Sequence, residues 1–186
     1  MEKTAELPEE LPVPVDDGAC DHLPDQSLPD ISLPATNGTA VNLAQQKGWL
    51  VIYCYPMTGR PDVQLPDNWD SIPGARGCTP QSCSFRDHYQ ELRQCGANVF
   101  GLSTQTTDYQ LEAKQRLHLP FELLSDHDLE FAKALNLPTF DANNMRLIKR
   151  LTLIVSKGII KKVFYPVFPP DENAAQVIEW LKRYQD

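Results

Sequence analysis

The chain has 186 residues, 41% hydrophobic and 23% charged, which is enough to close one core without disulfide bracing. No apolar run approaches the roughly 18 residues of a membrane span, and a net charge of -8 opposes the basic surface that binding to phosphate backbones requires, so neither membrane nor nucleic acid is an expected partner. Five cysteines are an odd number for a static disulfide framework, and the opening MEKTAELPEELP lacks the basic and apolar stretches of a secretory leader, so the expectation is a cytoplasmic protein with reactive or buried thiols.

Residues 1–27 carry Pro8, Pro12, Pro14 and Pro24 among acidic side chains and read as an extended arm; residues 28–186 read as the domain. Ile31–Leu33 and Ala40–Leu43 flank Asn37-Gly38, a turn dipeptide, and predict a short hairpin. Trp49 to Tyr55 is a continuous β-branched and aromatic run, a strand buried on both faces, and Pro56 ends it. From Met57 to Gly77 three prolines and three glycines predict a long irregular loop, of the kind that usually serves function. Thr79-Pro80 is a helix start, and Phe85, Tyr89 and Leu92 continue at helical spacing until Cys95-Gly96. Asn98–Ser103 predicts a second buried strand, Thr107–His118 a helix, Glu122–Leu124 a short strand and Asp128–Asn136 another helix. Leu147–Val155 and Ile159–Tyr165, joined by Ser156-Lys157-Gly158, predict an antiparallel hairpin, and Glu172–Tyr184 a final amphipathic helix. This order predicts an α/β, thioredoxin-like three-layer fold: a central mixed sheet with helices on both faces, plus the N-terminal extended arm.

A thiol is a strong nucleophile only as its thiolate, and the unpaired N–H groups and positive dipole end of a helix start favour that form. Cys78 falls at such a start, with Gly77 before it and Arg76 and Arg86 as nearby cations. Cys83 lies five residues on; in regular helix the two Cα atoms stand roughly 8 to 9 Å apart, beyond the roughly 7 Å that a disulfide spans. A bond between them therefore requires the first turn to open, which suits a redox cycle better than a brace.

Tyr55-Pro56 closing a strand, followed by Gly77-Cys78-Thr79-Pro80-Gln81-Ser82-Cys83-Ser84-Phe85-Arg86-Asp87 opening a helix, resembles the active-site stretch of the peroxiredoxins. The nearest likeness is the peroxiredoxin Q, or bacterioferritin comigratory protein, branch of the alkyl hydroperoxide reductase and thiol-specific antioxidant family. Phe100-Gly101-Leu102-Ser103, Leu119 to Asp126, and Arg150-Leu151-Thr152-Leu153-Ile154-Val155 continue the resemblance in order, over roughly residues 28–184. It implies a thiol peroxidase acting on hydrogen peroxide and organic hydroperoxides, with Cys78 forming a sulfenic acid and Cys83 resolving it as an intramolecular disulfide. Thioredoxin or a similar dithiol would recycle the pair, with neither metal nor haem, in a monomer or homodimer. By the same likeness Arg150 orients the peroxide at the sulfur, Pro56 shields it, and Thr79 and Gln81 stand at the substrate site. The chain departs from the family at Ala75, where a Thr or Ser hydroxyl is usual, and at Gln81, where Glu is usual. Thr58, Ser71 and Thr79 are the candidate replacements for the hydroxyl. These departures keep a second reading open, a peroxide-sensing or redox-binding module with little turnover. A disulfide reductase is disfavoured because no C-x-x-C pair occurs.

Cys54 and Cys95 read as small core residues. Cys20-Asp21-His22, in the arm, reads as an exposed thiol beside a histidine: structural or incidental, a third redox partner, or an accidental metal ligand. His88 completes a C-x4-C-x4-H string, but zinc sites use tighter spacings and a fourth ligand. His118 and His127 fit capping roles at a helix end and a helix start.

Overall fold

The apolar run that follows Gly48 forms the middle strand of a five-stranded sheet in the computed structural model, which describes residues 6–184; residues 1–5 of the expected arm and opening stretch lie outside them. In chain order the elements are β1 (Ser32–Pro34), β2 (Ala40–Asn42), β3 (Trp49–Cys54), α1 (Cys78–Asp87), α2 (Tyr89–Gln94), β4 (Ala97–Ser103), α3 (Thr107–Leu117) and β5 (Leu123–Ser125). They continue with α4 (Glu130–Ala134), β6 (Thr139–Ala142), β7 (Met145–Ile148), β8 (Leu151–Ser156), β9 (Ile159–Phe164) and α5 (Asn173–Arg183). The sheet order is β5-β4-β3-β8-β9, with β3, β4 and β5 parallel and β8 and β9 antiparallel to their neighbours. This is the mixed sheet of a thioredoxin-like fold.

β3 divides the core by its period of two. Leu50, Ile52 and Cys54 face one cluster with Phe131 and Ala132 of α4 and with Cys20, Leu23 and Leu28 from the N-terminal segment. Val51, Tyr53 and Tyr55 face the other, with Phe85 of α1, Leu92 of α2, Leu117 of α3 and Val177, Ile178 and Leu181 of α5. Where β4 crosses Tyr53, only glycine fits. A Cβ on Gly101 would lie 2.8 Å from the Tyr53 ring and 2.5 Å from Leu123 Cδ2.

The expected single helix from Thr79 to Cys95 is two helices. His88 leaves helical geometry (φ -97°, ψ 7°), and its Nδ1 lies 2.9 Å from the Ser84 carbonyl oxygen, so the side chain competes with the backbone for that acceptor. His88 is thereby a helix-break residue. The expected strand Leu147–Val155 is also divided: β7 ends at Ile148, β8 starts at Leu151, and the Lys149-Arg150 junction lies between. β7 pairs with β6 through Asn143 and Asn144, both at positive φ (45° and 61°), a hairpin turn that the sequence reading passed over. The 57–77 loop is irregular as expected but has a core of its own. Met57, Trp69 and Ala75 pack with Ala142 and Leu147 of that hairpin, and Trp69 meets Phe140 at 6.1 Å between ring centroids.

The segments on either side of β1 are tied down at the two edges of the sheet. Asp25 and Leu28 donate backbone bonds to Ile160 and Gly158, and Ile160 donates to Gln26, so residues 25–28 cover the β9 edge. Ala35 and Thr36 bridge to β5 at the opposite edge. Cys20 is 5% exposed and lies in the core instead of standing in solvent as its acidic, proline-rich surroundings suggested. His22 Nε2 lies 2.8 Å from the Leu135 carbonyl oxygen.

Candidate active site

Gly77 ends the long loop at φ 112° and ψ 14°, a left-handed conformation for which glycine is suited, and its carbonyl accepts the first helical bond from Gln81. Cys78 is therefore the first residue of α1, where N–H groups of the opening turn have no intrahelical partner. A Cβ on Gly77 would meet Pro170 Cγ at 2.4 Å and Leu7 Cδ2 at 3.1 Å, so the arm and the segment before α5 close over the helix start.

Arg150, from the β7–β8 junction, is only 3% exposed. Its Nη2 lies 3.1 Å from Cys78 Sγ and donates to the Ala75 carbonyl at 3.0 Å and the Arg76 carbonyl at 3.3 Å, while Nη1 donates to Gln81 Oε1 at 2.5 Å. No ion pair among the described residues involves Arg150. A buried guanidinium held by neutral acceptors thus points its charge at one sulfur, where ionic hydrogen bonds are strongest. Behind it, Gln81 Nε2 donates to Asn173 Oδ1 at 3.2 Å, and Thr152 Oγ1 donates to the same oxygen at 2.7 Å. Gln81, Thr152 and Asn173 are fully buried.

Beside the sulfur lies a cavity of about 20 Å³, room for one water-sized molecule, lined among others by Met57, Trp69, Arg76, Cys78, Thr79 and Pro80. Of the three candidate hydroxyls, Thr79 alone lines it. Thr58 donates to Gln105 Oε1 and Ser71 is exposed. Pro56 is buried but is not among the lining residues, and Gln81 faces Arg150 and Asn173. The Ala75 side chain supplies no hydroxyl, but its carbonyl takes hydrogen bonds from both Arg150 and the Cys78 thiol.

Cys83 is half-buried on the same helix, packed against the cluster that contains Tyr53 and Phe85. Of the two cations expected near Cys78, Arg76 lines the cavity and pairs with Asp70 at 2.9 Å, while Arg86 hydrogen-bonds Cys83 and donates to the Leu117 carbonyl. Burial, then Asp17, Asp16 and Asp21, push the Cys20 thiol up to about 12, and burial pushes Cys54 up as well. Among the described residues no group of three or more His, Cys, Asp and Glu is placed to hold a metal ion. His118 ends α3 in a left-handed conformation, and His127 is exposed beside Asp128. The sequence reading missed Thr152 and Asn173 as parts of this site: an Asn at a helix start reads as a cap, and nothing in its spacing from Cys78 links the two.

The redoxin family profile matches residues 23–178. The peroxiredoxin Q of Oryza sativa subsp. japonica, described as chloroplastic, is 30% identical over 158 residues, covering 84% of this chain and 65% of the relative. A peroxiredoxin of Schizosaccharomyces pombe is 34% identical over 138 residues, covering 69% of this chain and 63% of the relative. The chain thus spans about 65% of the length of the plant relative. Among solved structures, a Xanthomonas campestris peroxiredoxin Q matches with a TM-score of 0.65 at 27% identity over 87% of this chain and 98% of its own. The peroxidoxin BcpB of Mycobacterium tuberculosis matches with a TM-score of 0.73 at 22% identity over 89% of this chain and 100% of its own, a likeness of fold. The chain belongs to the redoxin family. Its relatives place it in the peroxiredoxin Q, or bacterioferritin comigratory protein, branch.

Proposed function

We propose that the chain is a thiol peroxidase for hydrogen peroxide and organic hydroperoxides. The observation that carries this reading is the buried Arg150 guanidinium 3.1 Å from the sulfur of a cysteine opening a helix. The Cys78 thiolate attacks the terminal oxygen of the peroxide; the O–O bond breaks, the leaving oxygen takes a proton and departs as water or an alcohol, and Cys78 becomes a sulfenic acid. Arg150 and the N–H groups of the opening turn meet the charge that develops on the peroxide oxygens, and the Thr79 hydroxyl stands at the cavity for the same purpose. The first turn of α1 then unwinds and the Cys83 thiol displaces the sulfenic oxygen as water, forming the Cys78–Cys83 disulfide. Thioredoxin or a similar dithiol returns two electrons and two protons and is itself oxidised. A relative, the bacterioferritin comigratory protein of Xanthomonas campestris, is described as having alkyl peroxide reduction activity, which supports the organic substrates. An odd set of thiols with such a cycle suits a reducing compartment, the cytoplasm among them.

The test is peroxide consumption coupled to a dithiol reductant, with mass mapping of the oxidised protein. The wild type turns over, Cys78→Ser does not, and Cys83→Ser consumes one equivalent and leaves a sulfenic acid at Cys78 that dimedone traps. A disulfide joining Cys78 to Cys20, or no turnover in the wild type, overturns the reading, and the second result favours the sensing module.

A further inference from the structure

We infer that Asn173 is a positioning residue for the Cys78 site, acting through Gln81 on Arg150. Arginine can only donate, so Nη1 at 2.5 Å requires Gln81 to present its carbonyl oxygen. That choice turns the Gln81 amide nitrogen away, toward Asn173, which must then present an oxygen in turn. The Thr152 hydroxyl, donating to the same Asn173 oxygen at 2.7 Å, holds it there. The opposite flip of Asn173 would set its amide nitrogen against that of Gln81, donor facing donor. The orientation observed leaves Asn173 Nδ2 buried without a partner, so it is set by what the oxygen must receive and not by satisfaction of the amide itself. The result is a one-way chain of buried groups, Thr152 to Asn173, Gln81 to Asn173 and Arg150 to Gln81, running from the start of α5 and strand β8 to the guanidinium at the sulfur. With no carboxylate among the described residues paired to Arg150, neutral dipoles fix its direction.

Resting on the peroxidase reading, this role is tested by Asn173→Leu, which keeps bulk and removes the acceptor, and by Thr152→Val with Thr152→Ser beside it. The second-order rate constant for peroxide, read by stopped-flow fluorescence, falls roughly three- to tenfold in Asn173→Leu and Thr152→Val, and Thr152→Ser restores it to within about twofold. Adding Asn173→Leu to Gln81→Met produces no further loss, because the path is already cut. A second readout needs no peroxide: the ratio of Cys78 alkylation by anionic iodoacetate to that by neutral iodoacetamide falls in both variants as the guanidinium loses its aim. Losses that multiply independently, or a reagent ratio that stays at the wild-type value, overturn the role. If the wild type reduces no peroxide, the peroxidase reading fails while the reagent ratio still decides the positioning. If Asn173→Leu does not fold, the Thr152 pair decides it.

Discussion

In the proposed peroxidase Arg150 is the residue on which the chemistry turns, because it brings a full charge to 3% exposure and directs three of its contacts to neutral carbonyl oxygens. The fork geometry is what lets one group touch sulfur, two loop carbonyls and Gln81 at once, so a point charge is a poor substitute. Arg150→Lys is expected to lower the peroxide rate constant about tenfold and Arg150→Met about a hundredfold, on the scale of losing one donor to a developing oxyanion; equal rates in all three proteins would refute the assignment. The cysteines divide in the same way. Cys20, with its thiol pushed up to about 12, and Cys54, fully buried, should react with iodoacetamide at pH 8 far more slowly in the folded protein than in urea; peptide mass mapping reads this directly. Cys78, Cys83 and Arg150 were legible as candidates because each belongs to a residue type with distinctive chemistry set in a recognisable local frame. Thr152 and Asn173 were not, since their meaning is a shared oxygen between strand and helix that no spacing encodes. The exposure of Cys20 was misread because an acidic, proline-rich context signals solvent, whereas Leu23 and Leu28 beside it anchor that stretch in the core.

In the proposed cycle α1 has one end that must move and one that is held. Its first turn starts at a left-handed glycine, while farther along Phe85 stacks on Tyr53 at 4.6 Å and Tyr53 donates a buried hydrogen bond to Ser82. Oxidation by one equivalent of peroxide is therefore expected to speed amide exchange over residues 78–83 while leaving β3 and β4 protected; hydrogen-exchange mass spectrometry checks it, and uniform loosening of the sheet would contradict it. Gly77 is the pivot. Gly77→Ala combines an unfavourable φ with a Cβ 2.4 Å from Pro170, and about 2 to 4 kcal/mol of lost stability is expected from urea unfolding. Strand and helix identities were readable because apolar runs and helix-start signals are local. The breaks at His88 and at Lys149-Arg150 were not, because each depends on where one side chain or one junction finds its partner. The β6–β7 hairpin hid for a related reason: its strands are short and half-exposed, and their packing partner is the Trp69 loop.

Taken together, the sheet has an apolar cluster on each face and a covered edge on each side, and the N-terminal segment contributes to both kinds of cover. That burial holds several weakly acidic groups neutral. Cys20 is raised from an ordinary 9.0 to about 12, and Cys54, Tyr53 and Tyr55 are raised by desolvation first. A group with a raised folded pKa keeps its proton in the folded chain after the unfolded chain has lost it. Its contribution to stability is complete below the unfolded pKa and disappears as pH climbs through the folded one. For Cys20 that window runs from 9.0 to about 12. Urea midpoints measured under reductant should accordingly fall between pH 9 and 11 more steeply than between pH 7 and 9. Cys20→Ala should flatten that alkaline slope even if it lowers the midpoint at pH 7, since it removes one of the groups that must ionise on unfolding. A Cys20→Ala slope equal to the wild type would mean that the thiol is solvated in the folded chain, and with it the claim that the N-terminal segment seals this side of the sheet would fail.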